Sequence, residues 1–366
     1  MRGWATPART GNMTMRWTQM VRNVSVGLLA LAAAGSAQAA MIATPVTSTA
    51  AQLKEWNLIA FNNIVQMNSE IEGRTFVGGN IQATNGQYNF TATSASANGT
   101  GSLTVVGNTA GQKIDFKQGD LVVGGNQNVY QLERQTNGNT VYVGGTNSAG
   151  LQNNLSPTTG LAQSNPNFTS ALTSQKASLI NNMTSLSDNL KALASTGTAS
   201  TANNKFTYNA TGAFNVINTT VDQLKSIGDQ ISITSGSGKT TIINVAGNLS
   251  SGSINANMAN TGSAQNIIWN FYEATDLTLG DWQGTVLAPK ATFVKDSRGN
   301  LEGNLIANNV SLYGEVHALN FQGDLSSVGG SVSAMPEPTT WAMLILGFGL
   351  VGGVMRRQRG LVLIRA

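Results

Sequence analysis

Short apolar runs separated by Gly, Asn, Ser and Thr make up most of this 366-residue chain. One such pattern is written twice. Trp282 to Phe293 (WQGTVLAPKATF) aligns with Leu301 to Leu312 (LEGNLIANNVSL) at an offset of 19, placing Gly284 on Gly303, Val286 on Leu305, Leu287 on Ile306, Ala288 on Ala307, Ala291 on Val310 and Phe293 on Leu312. A unit of about 20 residues with two β-type runs is too short to bury a core alone and must stack on its neighbours. The pattern predicts an all-β fold with one long flanking helix, specifically a β-solenoid.

Related punctuation recurs at Val106-Gly-Asn108, Val123-Gly-Gly-Asn126, Val143-Gly-Gly-Thr146 and Val245-Ala-Gly-Asn248, after a first clear rung at Ile71 to Asn80. These glycines are read as corners that need positive φ, with Asn side chains bonding from rung to rung. Ala50 to Val65 carries Leu53, Trp56, Leu58, Ile59, Phe61 and Ile64 and is expected to cap the open end of the stack. Thr91 to Ser102 reads as a polar surface insert.

The helical exception begins near Ser164-Asn165-Pro166 and covers residues 167–194, where Leu172, Leu179, Leu186 and Leu193 recur every seventh residue with Met183 and Leu190 between them. In Val286-Leu287-Ala288 and Leu305-Ile306-Ala307, consecutive residues are apolar, so both sides of that strand need cover. The coil interior takes one side, and the helix is expected on the other in preference to an intermolecular coil.

Composition narrows the function. Only 10% of residues are charged and 41 are Gly, the profile of an exported β-rich protein with a hydroxyl and amide surface. With no cysteine, disulfides, thiolate metal sites and cysteine nucleophiles are excluded. The formal charge of +4 comes from the ends: residues 40–335 hold 13 basic and 16 acidic residues, a net −3, so no nucleic-acid footprint is present.

Both ends read as targeting segments. Residues 1–39 form a signal peptide for Sec export, with Arg16 and Arg22 before the apolar run Val24 to Ala34 and a small-x-small cleavage site at Ala37-Gln38-Ala39. The domain then occupies 40–325, and 326–334 is a linker. Residues 335–360 combine Pro336-Glu337-Pro338, Trp341, an apolar helix over 341–355 and Arg356, Arg357 and Arg359. Basic residues after such a run leave it in the membrane with its C-terminal end in the cytoplasm.

This end resembles the PEP-CTERM sorting signal. The resemblance implies recognition by exosortase, a membrane-embedded transpeptidase, in a Gram-negative bacterium that makes exopolysaccharide. The protein would be held transiently in the inner membrane, cut near the motif, and released to the cell surface or extracellular matrix. The middle, at Trp56 to Asn80, Ile268 to Thr275, Trp282 to Pro289, Leu301 to Ala307 and Gly314 to His317, resembles the choice-of-anchor A family, regarded as an adhesive module. Its paired rungs are also similar to ice-binding solenoids that carry a helix along one side.

Catalytic chemistry finds little support. His317 is the single histidine, no G-x-S-x-G elbow accompanies it, and a triad or multi-His metal site has nothing to build on. Gly107 to Lys113 fails as a phosphate loop in both spacing and final residue. Asp276 with Asp281, or Glu302 with Glu315, are candidate carboxylate pairs for a polysaccharide-cleaving β-helix enzyme. The reading is a non-enzymatic surface protein without a cofactor, binding exopolysaccharide or another surface ligand through Thr, Asn and Ser ledges. Ice binding is the rival, resting on Thr285 over Asn304 and Thr292 over Ser311.

Overall fold

In a computed structural model, the structure describes residues 48–88, 102–135, 140–227, 230–235, 238–258 and 264–328. The signal peptide, most of the polar insert, the linker from residue 329 and the sorting segment lie outside the described residues, as do Ala37, Ala39, Pro336, Glu337, Pro338, Trp341, Arg356, Arg357 and Arg359. The described chain is mostly β with few helices. Twenty strands share one hydrogen-bonded sheet and two form a second.

Every strand-to-strand pairing in that sheet is parallel, and the strands stack in tiers. Along one face, neighbours run in the order Phe214–Thr220, Thr240–Ala246, Ile267–Asn270, Thr285–Lys295, Leu305–Leu312, Leu58–Ala60, Thr75–Val77, Leu103–Val105, Leu121–Val123 and Val141–Val143. Chain order and stacking order therefore differ. The first strand sits in the middle of the stack, with Leu58 opposite Leu305 on one side and Thr75 on the other.

This corrects the expected capping role of Ala50 to Val65. Helix α1 (Thr49–Glu55) ends beside the stack, and the strand after it wedges between the two halves of the molecule. Leu58, Ile59 and Ala60 are each fully buried, which is why the segment carries an unbroken apolar run. The chain builds outward from this seam to Gly150–Leu151, crosses to the other end, and returns tier by tier to close against its own start.

The crossing is made by a long helix. After the short α2 (Leu161–Ser164), α3 spans Pro166–Lys191, with Asn165 accepting the Asn167 N–H as N-cap and Pro166 at the first turn, where its missing N–H costs nothing. Its 26 residues give about 39 Å of length, comparable to the roughly 43 Å spanned by the stacked strands. Phe168 and Leu172 pack on Val122 near one end of the stack. Farther along, Leu179, Met183, Leu186 and Leu190 cover Phe76, Ile59, Ile306, Leu287, Ile268 and Ile242. Ser187 bonds to Asn270, and the Asn244 amide donates to the Leu190 carbonyl. The helix thus covers the apolar outer side of these strands, and the interior takes the other side.

The duplicated unit stacks as aligned in its first half only. Val286, Leu287 and Ala288 lie over Leu305, Ile306 and Ala307, but the register then shifts, so that Thr292 pairs with Asn309 and Phe293 with Val310. The aligned pairs Ala291 with Val310 and Phe293 with Leu312 are thereby corrected. Pro289-Lys290-Ala291 fills a corner that the next tier turns with Asn308 alone. Gly284 and Gly303 do stack, with φ of +102° and +151°, and a Cβ at Gly303 would meet the Gly284 carbonyl oxygen at 2.5 Å.

Candidate binding face

Beyond the corner, the tiers continue into a second face without a helix over it. Its strands are Asp276–Leu279, the second halves of Thr285–Lys295 and Leu305–Leu312, then Ile64–Gln66, Ile81–Tyr88, Thr109–Phe116 and Gln127–Arg134. Strict alternation sends Leu277, Phe293, Val310, Ile64, Ile81 and Val129 inward, so the intervening residues stand outward in columns.

The corner column is a ladder. The backbone N–H of Asn63 donates to Asn309 Oδ1 at 3.2 Å, that of Asn80 to Asn63 at 2.9 Å, that of Asn108 to Asn80 at 2.8 Å, that of Asn126 to Asn108 at 2.7 Å and that of Thr146 to Asn126 at 2.9 Å. This arrangement revises the role of most corner glycines, although Gly247 does take the expected positive φ, at +95°. Gly79, Gly107, Gly125 and Gly145 do not take positive φ; a Cβ at each would run into the Asn side chain of the tier before. Gly is required here by close approach, and Asn because its carbonyl fills the space that the missing Cβ leaves.

The central column reads Thr278, Val294, Ser311, Val65, Gln82, Ala110 and Asn128. Next to it lie Tyr313, Met67, Thr84, Gln112 and Tyr130, of which Tyr130 is 77% and Tyr313 51% exposed. Seven strands at about 4.8 Å make a ledge roughly 29 Å long. Neither of these columns holds a charged residue; Asp276, at the start of its strand, is engaged by Asn248 and Thr275. The cleft lined by Ser48, Lys54, Asn189 and Asp324 lies elsewhere, beside α3, where the two ends of the described chain meet.

The residues offered for ice contact fare differently. Thr285 and Asn304 bond to each other at 3.0 Å and are buried, so neither faces solvent. Thr292 lies over Asn309 instead of Ser311. The outward columns mix hydroxyl, amide and apolar groups and carry no Thr file.

A third face holds the carboxylates. Glu302 and Glu315, a proposed pair, meet at His317: Glu302 Oε1 lies 2.7 Å from Nδ1 and Glu315 Oε2 3.2 Å from Nε2. Glu72 accepts the Ala318 N–H at 2.8 Å. Glu70 joins them because Ile71 pairs with Val316 at the seam. Burial, then the charges of Glu315 and Glu72, raise the Glu70 carboxyl above the usual range. Burial pulls His317 down, but its hydrogen bond to Glu315 and the fields of Glu302 and Glu72 outweigh this and raise it overall. Asp276 and Asp281 are not brought together: Asp276 is on the flat face, whereas Asp281 sits in a corner against Gly299. Glu70 and Glu72 were not foreseeable as neighbours of His317, since about 245 residues intervene and only the seating of the first strand joins them.

Among the described residues no helix is long and apolar enough to cross a membrane. No curated protein matches the chain. Solved structures similar to it include an ice-binding protein from the Antarctic ascomycete Antarctomyces psychrotrophicus, 12% identical over 76% of this chain and 99% of that one with a TM-score of 0.31. A glycosylated ice-binding protein from an Arctic yeast is 10% identical over 75% and 94% with a TM-score of 0.29. Another, from an Antarctic Flavobacteriaceae bacterium, is 12% identical over 71% and 78% with a TM-score of 0.28. Likeness at this level decides neither fold nor function. The PEP-CTERM protein-sorting motif matches residues 336–359. The family described as "Putative Ice-binding-like adhesive domain" matches residues 49–318, about three quarters of the chain, and the chain belongs to that family.

Proposed function

We propose that this protein is an exported, non-enzymatic adhesin whose domain is a β-solenoid binding a neutral, hydroxyl-rich surface, such as the producing cell's exopolysaccharide, through the flat face. The observation that carries the reading is the flat ledge itself, a central column of Thr, Ser, Asn, Gln, Val and Ala held in register by the Asn ladder and without a charged side chain. Such a ledge offers many weak hydrogen bonds and small apolar contacts, and copies on one surface multiply them.

The ends fit this use. Ser48 and Val328 line the same cleft beside α3, so the described chain begins and ends on the helix side. Held by the segment after residue 335, the domain keeps its flat face free for a ligand. Processing by exosortase near Pro336-Glu337-Pro338, after Sec export and cleavage behind Ala39, then releases it to the cell surface or matrix of a Gram-negative bacterium.

The test is matrix pull-down of the purified protein beside Ala110→Arg and Gln82→Arg, which place bulk and charge in the central column without touching the interior. Loss of about tenfold or more in retention on exopolysaccharide is expected for both. Equal retention of wild type and variants removes the flat face from the function. Inhibition of ice recrystallisation by the wild type alone moves the ligand from glycan to ice. Mass spectrometry of the secreted form checks processing: a C-terminus near residue 336 is expected, and an intact Ala366 contradicts it.

A further inference from the structure

We propose that Glu70, Glu315 and His317 form a binding site for a divalent first-row transition metal, with zinc as its probe, placed across the seam where the start of the chain docks on its last tier. Each residue offers one ligand atom, and these atoms lie within 4.8 Å of one another. The site is separate from the flat face, and the family assignment does not account for it.

The imidazole separates this cluster from a row of surface carboxylates. Glu302 Oε1 lies 2.7 Å from His317 Nδ1 and accepts its hydrogen, which in the neutral ring makes Nε2 the nitrogen available to a ligand. Beside Nε2 stand Glu315 Oε2 at 3.2 Å and the Asn300 amide at 3.3 Å. At that point Nε2 either shares a proton with Glu315 or, in the neutral ring, offers its lone pair to a metal ion that takes the proton's place and that the carboxylate can also ligate. Glu70 brings a second carboxylate to the same point from Ser69–Ile71, across the seam. A carboxylate that orients a histidine, which with two further carboxylates ligates a metal, is the arrangement by which proteins fix the tautomer and raise the basicity of a ligating imidazole.

Charge points the same way. Glu70, Glu72, Glu302 and Glu315 all act on His317 or on one another, and Lys117 is the basic side chain whose field reaches Glu70. A divalent ion neutralises this excess more completely than a hydrogen bond does. One nitrogen and two oxygen ligands favour zinc and its neighbours over calcium or magnesium, which take oxygen alone. The position gives occupancy a consequence. Ser69–Ile71 meets Val316–His317 through the single pair Ile71 and Val316, so an ion bound by both sides ties the chain's first tier to its last.

The experiment uses the full chain stripped with a chelator, titrated with zinc chloride by equilibrium dialysis and followed by thermal melting. One zinc per chain and an upward shift of the melting temperature are expected. Glu70→Gln and His317→Gln weaken binding at least about tenfold, and Glu302→Gln, which alters only the positioning carboxylate, weakens it about 10- to 100-fold. Glu133→Gln, on the same face but outside the cluster, binds as the wild type does. Circular dichroism checks each variant, and Glu70→Gln keeps the test decisive if His317→Gln misfolds. Uptake below about one zinc per ten chains overturns the proposal, as does unchanged binding by Glu70→Gln, or calcium binding of equal strength.

Discussion

At the scale of single residues, the corners show how local chemistry enforces stacking. A glycine in a tight turn is usually explained by positive φ, yet Gly79, Gly107, Gly125 and Gly145 take ordinary φ and are small because an Asn carbonyl from the preceding tier occupies their Cβ position. A Cβ at Gly145 would land on Asn126 Oδ1, while the nearest backbone atom, the Gly125 oxygen, stands at 3.2 Å. Gly145→Ala should therefore cost about 1–3 kcal/mol by overpacking. In an Asn126→Ala background the same substitution should cost much less, beyond the roughly 1 kcal/mol that the lost ladder bond removes. Urea denaturation of the four proteins measures this coupling directly. Additive costs would return the glycine to a purely conformational role. The Gly-Gly-Asn recurrence was plain in the sequence; its cause was not, because which atom fills the gap depends on the tier before.

At the scale of elements, α3 is the piece that makes the apolar strands soluble. Its seven-residue stripe and its start at Asn165 and Pro166 could be read directly, and so could the need for a cover over Val286-Leu287-Ala288 and Leu305-Ile306-Ala307. Met183 is fully buried between the helix and the strands, and Met183→Ala should lower stability by about 2–5 kcal/mol. Asn181 points to solvent on the same turn, and Asn181→Ala should stay within about 0.5 kcal/mol. Equal effects from the two would mean that the helix does not rest on the sheet in solution. The register shift after Ala288 was not legible, because a corner can absorb extra residues without changing the apolar pattern on either side.

At the scale of the whole molecule, the seam decides what the chain can do. Repeats, strand type and the exported character follow from local pattern, but an ordering in which residue 58 lies beside residue 305 leaves no local trace. An apolar N-terminal segment before a run of repeats looks like an end cap, and the structure uses it as a keystone. Removing residues 48–66 should therefore abolish cooperative folding, whereas loss of a true end cap would leave most tiers folded. Circular dichroism with thermal melting distinguishes the two. Only with this seam is the flat face continuous from Asp276 to Asn128, and only with it do Glu70 and Glu315 share His317.

The absence of cysteine makes a direct measurement possible. Val65 and Ser311 lie opposite each other on adjacent parallel strands of the flat face, one from each side of the seam, at a separation that admits a disulfide. Val65→Cys with Ser311→Cys, oxidised under mild conditions, should form a nearly quantitative intramolecular crosslink seen as a mobility shift and confirmed by peptide mapping. Val65→Cys with Asn128→Cys, three tiers apart, should form none. A crosslink in the second pair and none in the first would contradict the seam, and with it the continuous face on which the adhesive reading rests.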